Sequence, residues 1–146
     1  MVSIMDAITK LRILGRVYNL PSLKGEDALA NQIAMKLTEY SIEGKLKGIW
    51  FHVPNESVVS KSNMLTDILR IKRKHSMGLI NGVPDLVFIS KEKALFVELK
   101  TAKGRLSESQ QLFQEWCIDE GIGYYVSRSV EDIEKILTVN GLLELS

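Results

Sequence analysis

The chain has a single cysteine, no long apolar run and a net charge close to zero, and each scarcity narrows what it can be. One cysteine, Cys117, excludes an internal disulfide. Its place in an apolar helical pattern reads as a small buried residue, and a lone thiol accords with a cytoplasmic setting. No apolar run approaches the ~20 residues that span a bilayer, so no membrane partner is expected. Met1 to Asp6 carries an acid where a secretory signal is basic, and no clear cleavage site follows. Repeats, low-complexity tracts and linkers are missing too. With 146 residues, 45% hydrophobic and 25% charged, the composition is that of a globular protein. The length suits one domain, 1–146, with a real core, and is too short for two.

The net charge of +1 hides an asymmetry. Residues 61–105 hold ten Lys/Arg against four Asp/Glu, and residues 107–146 hold two against eight. A basic stretch of this kind suits a polyanionic partner.

The basic stretch also contains the most specific pattern in the chain. Gly82-Val83-Pro84-Asp85-Leu86-Val87-Phe88 is followed by Leu95-Phe96-Val97-Glu98-Leu99-Lys100. Pro84 has no N–H to donate and belongs at or just before a strand's first residue, and Gly82 permits the bend before it. Both segments are apolar and β-branched, and the polar turn Ser90–Lys93 between them predicts a hairpin. Glu98 and Lys100 fall on one strand face, about 6–7 Å apart. The hairpin brings Asp85 opposite Glu98 to Lys100. Asp and Glu are hard oxygen ligands suited to Mg²⁺, with the Leu99 carbonyl a further candidate ligand. A lysine beside them supplies a compact positive charge for a phosphate or a nascent hydroxide. Together they suit metal-assisted cleavage of a phosphodiester. Taken singly, each is an ordinary charge at a sheet edge.

Other elements follow from periodicity. Helices are expected at 3–18, 25–41, 62–75, 108–120 and from 129 to about 138, and strands at 49–53, 85–89, 94–100 and 123–127. The second helix turns a stripe of Leu29, Ile33, Leu37 and Tyr40 inward. Glu26 falls on that stripe, where a carboxylate needs a partner; the alternative is a charge that complements the helix N-terminus. His52, at a strand's end, could meet a phosphate or merely sit at the edge. Asn55 follows in a loop and could bond the backbone or a substrate. Arg70, Lys72, Arg73 and Lys74 are a solvated helix face or a nucleic-acid contact, and Lys103 and Arg105 continue the basic character. Gln110 closes a capping box with Ser107, or faces the metal site and orients water or phosphate. Leu112, Phe113, Trp116 and Cys117 read as the helix's core stripe. Arg128 is a loose candidate for phosphate contact.

The order of these features resembles the PD-(D/E)XK nuclease signature, and more closely the virus-type replication-repair nuclease (VRR-NUC) family. Glu26, His52-Val53-Pro54-Asn55-Glu56, Gly82-x-Pro84-Asp85, Glu98-x-Lys100 and Ser107-Glu108-Ser109-Gln110 carry the resemblance, which spans roughly residues 25–128. It implies an α/β restriction-endonuclease-like core, a central mixed sheet of about four strands flanked by helices. It also implies dependence on Mg²⁺ or Mn²⁺ and endonucleolytic cleavage of branched, Holliday-junction-like DNA by a homodimer in replication or repair. Asp85 and Glu98 would then hold the metal, Glu26 would complete the site directly or through water, and Lys100 would act on the attacking water or the charged transition state. Residues 1–20 lie outside the resemblance as an additional helix, either a dimer interface or packing on its own core. The competing expectations are a restriction- or mobile-element-type nuclease on ordinary duplex and a catalytically idle DNA-binding scaffold. Glycosidase chemistry also uses two carboxylates, but Glu-x-Lys and the basic stretch disfavour it.

Overall fold

A computed structural model describes residues 7–54 and 64–145. Among them run five helices and four strands: α1 (Ala7–Leu14), α2 (Gly25–Ile42), β1 (Ile49–His52), α3 (Met64–Ser76), β2 (Leu86–Ile89), β3 (Ala94–Leu99), α4 (Glu108–Glu120), β4 (Gly123–Ser127) and α5 (Val130–Val139). The strands form one mixed sheet in the order β1-β2-β3-β4, antiparallel except for β3 and β4, which are parallel. That exception follows from the connection: α4 crosses over between β3 and β4, as a parallel pair requires.

The predicted α/β class and four-stranded sheet are borne out. The hairpin is also present: Leu86 pairs with Val97 and Ile89 with Ala94, and one step past Leu86 puts Asp85 opposite Glu98.

The core lies between one sheet face and the pair α2 and α5. Ile33 and Leu37 of α2 and Ile133 and Leu137 of α5 pack against Trp50, Leu86, Phe88, Leu95, Val97 and Leu99. The apolar positions of β3 that face this core are Leu95, Val97 and Leu99, each at most 1% exposed. The C-terminal segment adds Leu142 and Leu143, which no periodic pattern in so short a stretch reveals. Leu143 bridges to Leu46, drawing the 44–48 turn into the core.

The first helix departs from expectation. It ends at Leu14 rather than residue 18, because Gly15 follows and the side chain of Asn31 holds the next stretch in an extended path. Asn31 accepts from Leu20 N–H at 3.0 Å and donates to the Tyr18 carbonyl at 2.7 Å. α1 docks on α2, and its Arg12 lies 3.7 Å from the centre of the Trp50 ring and bonds the Trp50 carbonyl. Leu11 and Leu14 face solvent, Leu14 at 80% exposure, so this helix does not bury its leucines in its own core.

Candidate active site

The other face of β3 carries Phe96, Glu98 and Lys100, where the strand needs partners for charge rather than for methyl groups. Glu98 is 2% exposed and Lys100 8%. Buried charges at such a depth are costly unless paired. Lys100 Nζ lies 3.7 Å from Glu98 Oε1 and 3.8 Å from Glu26 Oε1. The lysine therefore sits between the two glutamates, and one ammonium answers both.

Asp85 is fixed by its neighbours. Its side-chain Oδ2 accepts from Leu99 N–H at 2.8 Å, and its carbonyl accepts from Val53 N–H at 2.8 Å, with His52 Nδ1 at 3.1 Å from the same oxygen. Pro84 before it is fully buried. Gly82 has φ +88°, and a Cβ there would stand 2.3 Å from the Ser109 carbonyl oxygen. Only glycine allows the loop that delivers Asp85 to pass so close to the first turn of α4.

That first turn supplies Gln110. The two readings of this residue do not compete, because an amide has two ends. Its oxygen accepts from Ser107 N–H at 2.8 Å, closing a full capping box with the Ser107 hydroxyl on Gln110 N–H, while its Nε2 donates to Glu98 Oε1 at 2.8 Å. The cap fixes the side chain, and the fixed side chain orients the carboxylate.

Glu98 has a carboxyl pushed up from the usual range to about 8, by burial first and then by the adjacent Asp85 carboxylate; Lys100 opposes the shift. Its second oxygen, Oε2, is buried and has no hydrogen-bond partner among the described residues. Two adjacent carboxylates with an orphaned oxygen, beside the backbone of Leu99, are the hard-oxygen donor set that suits a divalent cation. No third carboxylate, histidine or cysteine joins them in a cluster among the described residues. Glu26 is half exposed on the first turn of α2 and reaches Lys100, so it is not the buried member of the inward stripe that periodicity places there.

The remaining candidates divide. Arg128 is engaged on one side: its Nη1 donates to the carbonyls of Thr101 at 2.6 Å and Gly104 at 2.8 Å, pinning the loop that follows Lys100. A Cβ on Gly104 would stand 3.3 Å from Lys100 Cδ, so that loop lies against the lysine stem. Arg128 thus positions the site from β4's end, a role that only the tertiary structure reveals. Arg70 pairs with the buried carboxylate of Asp67 yet stays exposed, as do Lys72 and Arg73 on α3, beside half-buried Lys74. The apolar residues Leu65, Ile68 and Leu69 on the same helix are exposed. Lys103 and Arg105 are exposed on the link from β3 to α4, and His52 is an exposed strand-edge residue bonded to backbone. Asn55 lies outside the described residues. The expected α4 core stripe is split: Cys117 is buried and Phe113 half-buried, whereas Leu112 and Trp116 are 60% and 48% exposed, because α4 covers only the β3–β4 part of its sheet face.

Comparison with known proteins bears on the family and the fold. No curated protein matches the chain. A solved structure described as a VRR_NUC domain protein superposes with a TM-score of 0.52 over 79% of this chain and 88% of that one, at 20% identity, a likeness of fold. The family model for the VRR-NUC domain matches residues 28–131, which include Asp85, Glu98, Lys100 and Gln110 and begin two residues after Glu26. The match covers most of the chain, and the chain accordingly belongs to the VRR-NUC family, nuclease domains of the PD-(D/E)XK type.

Proposed function

We propose that the protein is a divalent-metal-dependent endonuclease that cleaves branched DNA. The observation that carries this reading is the buried pair Asp85 and Glu98 with an unpartnered Glu98 oxygen and the Lys100 ammonium 3.7 Å from the other. Asp85, Glu98 and the Leu99 carbonyl would hold Mg²⁺ or Mn²⁺. The cation, when bound, polarises the phosphate and lowers the pKa of a bound water. The chain's own groups supply the rest. Gln110 donates to Glu98 and holds its carboxylate plane, leaving Oε2 free for coordination. Lys100, held by Glu26 and by the Gly104 loop, places a positive charge where the attacking oxygen and the phosphate acquire negative charge. Lys72, Arg73, Lys103 and Arg105 are exposed cations for the DNA backbone.

One such centre cuts one strand, and resolving a four-way junction needs two matched cuts, so we propose a two-fold homodimer. The exposed leucines of α1 are the candidate interface. A cleavage panel of four-way junction, flap, fork and linear duplex, with Mg²⁺, Mn²⁺ or chelator, tests the reading. Paired symmetric nicks on the junction are expected, with no cleavage in chelator. Equal rates on junction and linear duplex would favour a duplex nuclease, and binding without cleavage in either metal would favour an idle scaffold.

A further inference from the structure

Beside the carboxylates lies a cleft of about 500 Å³ walled by Ile80, Asn81, Phe96, Leu112, Phe113 and Trp116, with Ser109 at its rim. Its walls belong to the three segments that build the site. Ile80 and Asn81 precede the Gly82–Asp85 turn; Phe96 is on β3, on the same face as Glu98 and one pleat away; Ser109 is adjacent to Gln110, whose amide touches Glu98. One pleat is about 6–7 Å, the scale of one nucleotide step.

The lining is aromatic and ordered. Phe96 meets Phe113 edge-to-face at 5.2 Å between ring centres, and Phe113 meets Trp116 edge-to-face at 5.7 Å. The outer wall, Trp116 and Leu112, remains in solvent. Two residues with polar side chains, Asn81 and Ser109, line an otherwise apolar cleft. A basic link, Lys103-Gly104-Arg105, joins β3 to α4. The exposed Trp116 ring, two residues with hydrogen-bonding side chains and walls shared with the proposed phosphodiester-cleaving centre describe a nucleobase subsite.

We propose that this cleft receives one unpaired nucleobase of the substrate, next to the scissile phosphate; the inference rests on the nuclease reading above and names its substrate feature. Extruding a base from a duplex costs a few kcal/mol, whereas a base at a junction, flap or fork is already unstacked. The cleft therefore selects for branched or single-stranded positions without reading sequence. Stacking does not distinguish bases.

The test uses the full chain in Ca²⁺, with a forked DNA carrying 2-aminopurine at the first unpaired position. Controls are the same fork with an abasic residue there and a fully paired duplex. Trp116→Ala is expected to weaken fork binding about tenfold, within the range of a lost stacking contact, and to leave duplex binding unchanged. The abasic fork should show the same loss with the wild-type protein and no further loss with the variant. Leu112→Ala, one helical turn from Trp116 on the same wall, provides a second variant if Trp116→Ala does not fold. Equal weakening on fork and duplex, or an abasic fork bound as tightly as the intact one, would overturn the subsite. So would a Trp116→Ala protein that changes from dimer to monomer and regains fork affinity at high concentration, because a second copy then covers the cleft. A wild-type protein that cleaves forks without responding to the abasic site would sink this inference and leave the nuclease reading standing; one that binds no DNA would sink both.

Discussion

The two faces of β3 solve burial in opposite ways. Leu95, Val97 and Leu99 fill one face with side chains that need nothing but contact. Phe96, Glu98 and Lys100 occupy the other, and two of these three are ionisable side chains at almost the same depth. The apolar face stabilises the fold. The polar face requires a lysine between two glutamates, an amide from a capped helix and an aspartate held by a backbone N–H, and it still leaves one carboxylate oxygen without a partner among the described residues. Neighbouring residues of one strand thus divide stability from chemistry, and substitutions on the two faces should separate in what they change.

The sharpest separation is in activity. Asp85→Ala and Glu98→Ala should abolish cleavage in a plasmid-nicking assay while the proteins stay folded by circular dichroism, because each removes a cation ligand and relieves like-charge crowding. Wild-type rates in either variant would erase the distinction between the faces. Leu95→Ala should do the reverse. Emptying that fully buried position should lower unfolding free energy in denaturant by about 2–5 kcal/mol, with cleavage retained by the folded fraction below the transition.

The next effect is one of pH. Glu98's carboxyl is raised to about 8 in the folded chain from an ordinary 4.5. The folded state therefore binds this proton more tightly than the unfolded state, and the stability it contributes is complete below pH 4.5 and lost as pH rises through about 8. In chelator, the melting temperature should decline between pH 6 and 9, and Glu98→Gln should flatten that decline. An identical pH profile in the variant would place the titration elsewhere.

The smallest effect sharpens the comparison at one side chain. Gln110→Ala loses both ends of the amide and should cost about 0.5–2 kcal/mol through the helix cap, along with activity. Gln110→Glu retains an acceptor for Ser107 N–H but cannot donate to Glu98. It should restore the cap but not the activity, because a carboxylate then stands against Glu98 where the amide donated; recovered activity would show that the contact with Glu98 is incidental.

Most of the fold was legible because its signals are local. Proline and glycine punctuate the start of β2, alternation marks β3, and Ser107-x-x-Gln110 marks the start of α4. The hairpin register then follows from turn length, and with it the meeting of Asp85 and Glu98. What escaped depends on contacts distant in sequence. Arg128 reads as a loose surface cation until β4 lies parallel to β3 and its guanidinium reaches the carbonyls of Thr101 and Gly104. Glu26 and Lys100 are 74 positions apart in sequence, and helical phase places the glutamate inward without showing that α2's first turn is open to solvent. Leu112 and Trp116 have the spacing of core residues, but spacing cannot tell how far a helix extends over its sheet. α1 ends early because Asn31, on another element, holds the chain that follows it.

The claim that the polar face of β3 is a cation site can be measured directly by calorimetric titration of the wild-type protein with Mg²⁺ at pH 7, in two buffers of different ionisation enthalpy. A carboxyl pushed up by burial and by Asp85 holds its proton to higher pH than an ordinary glutamate and must release it to coordinate. Saturable binding should therefore release protons, and Glu98→Gln should abolish both binding and release. Binding of equal strength by Glu98→Gln would contradict the assignment of Glu98 as a ligand, and binding without proton release would contradict the raised carboxyl.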